Sequence, residues 1–446
     1  MNKKLLLILL AFFGFIYGSV PVFPATADQD TYSYPDSNII LISIDTLRPD
    51  RLGCYGYERD TSPNIDKFAN ESILFQDVIS QADVTHASHL SLFLSRYYFE
   101  HRNSSEGFST LPQSLQEYGY KTAAFVDGGL MSIGLSFGFP EMFEFYDSSK
   151  GPKKSGLKEI NPKVVKWLEN NYKNKFFLFV HTFDIHHPYK PPEPYRSMFT
   201  DGYVPDCEHC TDYLTSPWDQ TKESAKYVSD QYDGEVRYAD FMLGSIFETI
   251  QRLNLYENTI VIIMSDHGES LGEHGLFGHG QGYNVQLKIP LIIRLPSARH
   301  QVVPEPAQAI DIYPTILGFL GISPKGGLSG VNLVPYIKGD KTFASKRVRW
   351  SDTHDKKLIN FYDEWKVIWH QMGSVELYNL KDDPQENVNL INDYPEVAAN
   401  LKKASKSWRD FSLPEFNLEW VKEITEGSDV DYEELVQELK ALGYLN

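Results

Sequence analysis

The chain has 446 residues, 42% of them hydrophobic and 14% aromatic, with 42 lysines and arginines against 60 aspartates and glutamates. That length suits one large domain with an appendage or two ordinary domains, and the composition excludes wholesale disorder. The net charge of -18 excludes nucleic acid as a partner, because binding there comes from lysine and arginine neutralising phosphates.

The amino terminus reads as an export signal. Lys3 and Lys4 precede the apolar run LLLILLAFF, and Ala25 and Ala27 form a small-residue site before Asp28. Cleavage is expected near Ala27, giving a signal peptide over 1–27 and a polar spacer over 28–37. The alternative is an uncleaved anchor, since the apolar stretch continues through Val22. Both readings export the chain, as a periplasmic or secreted protein or one held at a membrane.

The run NIILISI at 38–44 is continuously apolar and rich in isoleucine, which predicts a strand buried on both faces. Similar runs follow at 122–126, 176–180, 259–264 and 290–295, with helical spacing between them at 161–172 and 229–253. Strands alternating with helices predict an α/β fold with a doubly wound, mainly parallel sheet. In such sheets ligands collect at the carboxyl ends of strands. Asp45 directly follows the first run and Asp266 with His267 follows TIVIIMS, so two acidic strand ends are expected to face one crevice.

The stretch 196–228 is polar and aperiodic, and is expected to be a surface insertion that shapes a binding site. Within it Cys207 and Cys210 form a CEHC tetrad. A zinc half-site would need a second ligand pair, so a local disulfide is the favoured reading. Cys54, the third and last cysteine, then reads as a small buried hydrophobe. From about 345 short alternating strands (RVRWSD, KLINFY, WKVIWH, VELYNL) precede a helix near 394–411. They predict a small antiparallel sheet in a carboxyl-terminal α+β subdomain over 341–446, after a catalytic domain over 38–340.

Several blocks in order carry a family resemblance: LISIDTLRPDRLGCYGY, TSPNIDKFANESILFQDV, THASHLSLF, GYKTAAF, FLFVHTFDIHHPYKPP, YDGEVRYADFMLG, SDHGESLGEHGLFGHG and ELYNLKDDPQENVNL. From Asn38 almost to its end the chain resembles the sulfatases of the alkaline phosphatase superfamily. The resemblance implies an alkaline phosphatase-like fold and an ester hydrolase. It also implies one divalent ion (calcium, manganese, zinc or magnesium) held by Asp45, Asp266 and His267, with the nucleophile beside it. Such chemistry must hold a dense anion, supply a nucleophilic oxygen and protonate the departing alcohol.

In a typical sulfatase the nucleophile arises in a CxPSR motif whose first residue becomes formylglycine. Here the matching stretch runs from Thr85 to His89, and threonine cannot form that aldehyde by the usual route. Related phosphodiesterases and phosphoethanolamine transferases of the superfamily use threonine, so the resemblance implies Thr85 as nucleophile and as a further contact to the metal. The helix expected to follow it would offer amide groups to an anion; the alternative is that Thr85 is only an N-cap.

The resemblance implies His186 as the residue serving the leaving oxygen and places His279 on the far wall. His187 reads as a surface histidine and His181 as structural. Two of the family's cationic contacts are missing: Gln281 stands where lysine is common, and VDGGLM replaces the KWH element. Arg48 or Lys288 is expected to supply the charge. The function expected is therefore hydrolysis of a sulfuric or phosphoric ester of a small molecule, carbohydrate or lipid, with no stable protein partner. The alternatives are a phosphoethanolamine- or phosphoglycerol-type transferase and a non-catalytic binding protein.

Overall fold

A computed structural model of the chain describes residues 32–98, 100, 108–127, 133, 138–148, 156–202, 222–340, 347–353, 357–370 and 373–404. The expected signal peptide, the CEHC tetrad and the end of the helix expected at 394–411 lie outside the described residues. Two compact units divide the chain, residues 1–33 and 34–446.

The second unit is centred on an eight-stranded sheet. In chain order the strands are β1 (Asn38–Ile44), β2 (Ile73–Phe75), β3 (Lys121–Val126), β4 (Phe145–Ser148), β5 (Phe176–Thr182), β6 (Thr259–Met264), β7 (Leu291–Arg294) and β8 (Gln301–Val303). Across the sheet they run β8-β2-β7-β6-β1-β5-β3-β4. The middle strands are uniformly apolar because helices cover both faces, and every residue of β1, β5 and β6 is buried. Each isoleucine or leucine so enclosed contributes about 1.5–3 kcal/mol.

Parallel pairing joins β1 to β5 and β6, β3 to β5 and β4, and β2 to β8. One expectation needs refining. The run at 290–295 forms β7, which lies antiparallel to both β6 and β2, so the sheet is mixed at that side. Its reversal follows from the short return that residues 265–290 make over the strand ends.

On one face pack α1 (Pro63–Ala69), α3 (Gly156–Asn171) and α4 (Lys222–Arg252), whose apolar stripes join Ile40, Ile42 and Ile44 in a single core. The helix expected at 161–172 begins earlier, with Pro162 tolerated in its opening turns, and the one expected at 229–253 reaches back to Lys222. Residues 222–228 of the expected insertion are thus helical, and 203–221 lie outside the described residues. Cys54 is half-buried against this core as a free thiol. The other face carries α2 (Thr85–Leu94) and α5 (Ile312–Leu320).

The carboxyl-terminal strands form a four-stranded antiparallel meander, β9 (Arg349–Asp352) to β12 (Val375–Asn379), followed by α6 (Pro395–Ala404). A buried ion pair of Lys366 with Glu386 fastens it to the main body, since Lys366 Nζ also bonds Asn284 Oδ1 at 3.2 Å and Glu386 Oε2 accepts from the Asn284 amide at 2.6 Å.

Register fixes what matters for function. Ser43 of β1 stands opposite both His181 of β5 and Met264 of β6, so the three central strands end level and deliver their following residues to one place.

Candidate active site

Asp45 leaves β1 and the chain turns at once. Thr46 adopts a left-handed conformation with φ 56°, a strained choice for a β-branched residue. Packing enforces it: the Thr46 amide donates to Asp266 Oδ1 at 3.3 Å and its carbonyl accepts from the Tyr232 hydroxyl at 2.7 Å. The His267 amide also donates to Asp266 Oδ1, at 2.9 Å. Oδ1 is thereby occupied by main chain, while Asp266 Oδ2, equally buried, accepts no hydrogen bond.

His267 is oriented by its own neighbour. Its Nδ1 lies 2.9 Å from the Gly268 carbonyl; a carbonyl only accepts, so Nδ1 carries the proton and Nε2 keeps a lone pair. That lone pair faces Asp45 Oδ1 at 3.8 Å and Asp266 Oδ2 at 3.6 Å. Gly268 must be glycine, because a Cβ there would stand 2.1 Å from the Val285 carbonyl oxygen.

Helix α2 starts at Thr85 with Val84 as its cap residue, and no side chain caps it. The hydroxyl does something else. Thr85 Oγ1 donates to Asp45 Oδ2 at 3.2 Å and lies 3.5 Å from His267 Nε2, which removes the N-cap reading. Asp45, Asp266 and His267, all fully buried, offer ligand atoms within 4.8 Å of one another. Two carboxylates, an imidazole lone pair and a buried oxygen without a hydrogen bond form a donor set that fits a divalent cation.

Beside this set stand five more side chains. His186 Nδ1 donates to the His187 carbonyl at 2.8 Å. The rings of His186 and His279 are 5.3 Å apart, and those of His267 and His279 are 4.5 Å apart. Glu269 anchors this wall: Oε1 takes the His279 Nδ1 proton at 2.9 Å, with His187 Nδ1 at 3.8 Å, and Oε2 accepts from the Tyr189 hydroxyl at 2.8 Å. Burial would raise the Glu269 pKa, but His187 and His279 hold it well below the usual carboxylate range. Burial would lower that of His279, but the Glu269 carboxylate raises it above the ordinary histidine value. The Glu269 carboxylate thus favours the protonated form of the His279 imidazole.

Behind Asp266 lie His89 and His181, whose ring centroids are 4.6 Å apart. His89 Nδ1 donates to the Thr85 carbonyl at 2.8 Å and His89 Nε2 meets Ser43 Oγ at 3.0 Å. Burial, opposed by the charge of Asp266, pulls both histidines down, His89 to about 3 and His181 to about 4. Burial also acts on Asp266, upward, but the surrounding imidazoles, His267 first, keep it below the usual value.

The family model described as Sulfatase matches residues 37–322, a span that holds every one of these groups. The chain belongs to the sulfatase family. A second model, N-sulphoglucosamine sulphohydrolase, C-terminal, matches residues 272–410 of this sulfatase-family chain. Iduronate 2-sulfatase of Mus musculus is 28% identical over 68% of this chain and 66% of its own length. N-acetylglucosamine-6-O-sulfatase of Bacteroides thetaiotaomicron is 24% identical over 84% of this chain and 87% of its own. Among solved structures, the phosphonate monoester hydrolase of Agrobacterium radiobacter superposes with a TM-score of 0.67 at 20% identity, covering 83% of this chain and 94% of its own. A protein solved with its substrate D-glucosamine-2-N,6-O-disulfate gives a TM-score of 0.72 at 20% identity, covering 84% and 98%. At that identity the superpositions establish the alkaline phosphatase-like fold.

In this sulfatase-family frame the structure brings Asp45, Thr85, Asp266, His267, His186 and His279 together. It corrects two expectations. His187 is no surface histidine: it is 6% exposed and faces Glu269. Arg48 does not offer its charge to an anion, because its guanidinium is taken by Asp50, Glu273 and the Glu269 carbonyl, and Lys288 pairs with Asp77 at 3.6 Å. His181, read as structural, is fully buried with Nε2 3.7 Å from Asp45 Oδ2. Sequence reading missed His89 and Glu269. The four-residue spacing from Thr85 placed His89 on the same helical face; nothing in the sequence signalled Glu269.

Proposed function

We propose that this protein hydrolyses sulfuric or phosphoric esters with Thr85 as the nucleophile, His186 as the acid for the leaving group, and Asp45, Asp266 and His267 as the residues that hold a divalent cation. One observation carries the reading: the Thr85 hydroxyl lies within 3.5 Å of both Asp45 Oδ2 and His267 Nε2, at the first position of a helix whose amide end favours an anion.

The cation, when bound, neutralises charge on the ester and acidifies a neighbouring hydroxyl. The protein's own groups do the rest. Thr85 Oγ1 attacks sulfur or phosphorus while its proton passes along the existing hydrogen bond to Asp45 Oδ2. The bond to the substrate's alcohol oxygen breaks, and that oxygen takes the Nε2 proton of His186, which enters the step as an imidazolium and leaves it neutral with Nδ1–H still on the His187 carbonyl. His279, whose protonated form Glu269 favours, faces the anion and stands in for the cationic contacts that the sequence lacks. Water then enters where the alcohol left, returns a proton to His186 and attacks the group carried by Thr85; the threonine oxygen recovers its proton from Asp45.

Threonine has a single hydroxyl, so the transferred group leaves only by attack of a second oxygen at sulfur or phosphorus. Water gives hydrolysis; an alcohol gives the transferase alternative. The names of the curated relatives make sulfated sugars the first substrates to try, and the solved phosphonate monoester hydrolase adds phosphorus esters. Export, inferred from the amino-terminal sequence, would put the reaction outside the cytoplasm.

The test uses matched aryl sulfates and aryl phosphates with different leaving groups, divalent metal supplied, and glycerol as a competing acceptor. A common intermediate on Thr85 gives one ratio of glycerol adduct to free acid for all leaving groups. A ratio that changes with the leaving group would refute the covalent route. Absence of turnover on every ester would favour the non-catalytic alternative.

A further inference from the structure

The Asp266 carboxylate keeps one oxygen for an ion because the other is tied to main chain. Oδ1 takes the Thr46 amide at 3.3 Å and the His267 amide at 2.9 Å, and Oδ2 lies 3.6 Å from His267 Nε2. Ser265 contributes little: its hydroxyl gives its proton to the His267 carbonyl at 2.5 Å and stands 3.5 Å from Oδ1. The His267 amide belongs to the next residue and moves with Asp266. The Thr46 amide comes from another strand end, 220 residues away in sequence, and so fixes the carboxylate against the Asp45 turn.

That amide meets Asp266 while Thr46 holds φ 56°. A β-branched residue resists this conformation, because its side chain crowds its own backbone. The Thr46 side chain does nothing to favour it, since its buried hydroxyl makes no hydrogen bond. The turn's own backbone bond, from the Leu47 amide to the Ile44 carbonyl, is long at 3.4 Å. One phenol supplies the stronger hold. Tyr232, fully buried on α4, donates its hydroxyl proton to the Thr46 carbonyl at 2.7 Å and accepts from the Arg48 amide at 2.9 Å. It thus grips the backbone on both sides of Leu47. Its ring is set edge-on against Tyr189 at 5.6 Å, within the core that α4 shares with β1.

We propose that Tyr232 is a positioning residue for the cation site: its hydroxyl holds Thr46 in the left-handed conformation, which keeps the Thr46 amide on Asp266 Oδ1 and leaves Oδ2 for the ion. This rests on the reading of Asp45, Asp266 and His267 as the ion's holders. Groups behind the ligands set metal affinity by fixing ligand orientation. Without the hydroxyl, Thr46 relaxes toward extended backbone, its amide swings away, and the carboxylate is free to rotate. A glycine in its place has no Cβ to oppose the turn, so the turn survives without the clamp. The worth of the phenol therefore depends on the residue at position 46, a dependence that a tyrosine merely filling the core does not show.

The experiment uses the full chain stripped of metal. Zinc and calcium are each titrated by competition with a chromophoric chelator, and the tighter-bound ion is carried through Tyr232→Phe, Thr46→Gly, the two combined, and Asp266→Asn. Bound metal is counted by elemental analysis and folding is followed by thermal melts. Phenylalanine keeps the ring in the core and removes only the hydroxyl. Tyr232→Phe is expected to weaken the ion by about 10–100-fold; in the Thr46→Gly background the same change costs less than about threefold. A folded Tyr232→Phe within about threefold of wild type, or an equal loss in both backgrounds, overturns the proposal, even while Asp266→Asn abolishes binding and so upholds the underlying site. Binding undiminished in Asp266→Asn, or no ion bound by wild type, refutes that underlying reading and this inference with it. If Tyr232→Phe folds only when combined with Thr46→Gly, the clamp is upheld; if it folds in neither background, Tyr232 is structural and the proposal falls. Should Thr46→Gly itself not fold, Thr46→Asn decides, because asparagine also tolerates the left-handed region.

Discussion

Replacing Thr85 by alanine tests the site at its centre. The side chain is 1% exposed and its hydroxyl makes one hydrogen bond to a carboxylate, at 3.2 Å. Losing a long bond of this kind costs about 1–2 kcal/mol of stability, and the vacated space is roughly one methyl plus one hydroxyl. The protein should therefore still fold, with a modest drop in melting temperature. Turnover should behave differently: removing a nucleophile costs at least about 10⁴-fold in kcat, or ~5.4 kcal/mol at 1.36 kcal/mol per tenfold. Thr85→Ser restores the hydroxyl and should return kcat to within about tenfold of wild type, because only a methyl group is then missing. Single-turnover kinetics on an aryl ester, with bound metal counted in each variant, separate lost chemistry from lost metal. Folded, metal-bound Thr85→Ala with kcat within tenfold of wild type would refute the reasoning.

Three further outcomes arise from particular contacts. His279 has a raised pKa because of Glu269, so its cationic form persists above the ordinary histidine range and is lost as pH rises through the elevated value. KM for an anionic ester should climb there, and Glu269→Gln should shift that climb to lower pH in a pH profile of kcat/KM. Removing the metal with a chelator should lower the melting temperature, since an ion at 100 times its Kd stabilises by about 2.7 kcal/mol; Asp266→Asn should abolish the difference between chelated and metal-supplied melts. Glu386→Gln leaves Lys366, 0% exposed, without its counter-charge and should destabilise by about 3–5 kcal/mol in urea titration, with an unchanged midpoint arguing against that anchor.

How far the sequence could be read depended on the range of the interaction. Asp45 and the pair Asp266–His267 were legible because each follows an uninterrupted apolar run, and such runs become central strands whose ends share a crevice. Strand β7 was legible as a strand but not in direction, because apolar periodicity is blind to direction. His187 looked like surface because its neighbour His186 had the assigned role; only the path of residues 268–279 brings Glu269 against it. Arg48 illustrates the converse. Its charge was visible in the sequence, but Asp50 and Glu273 claim it, and Glu273 lies far along the chain. His181 ended a strand like many others until the register opposite Ser43 set it beside Asp45.

The level ending of β1, β5 and β6 also has a kinetic meaning. Residues 45, 85, 181, 186, 266 and 279 meet only after strands far apart in the chain have paired, so no early fragment of the nascent chain holds a working pocket. Contacts this distant form slowly, because each must first close a long loop. An ion captured by the finished pocket would chiefly slow its opening and have little influence on its assembly, so the metal should lengthen the lifetime of the native protein far more than it hastens refolding.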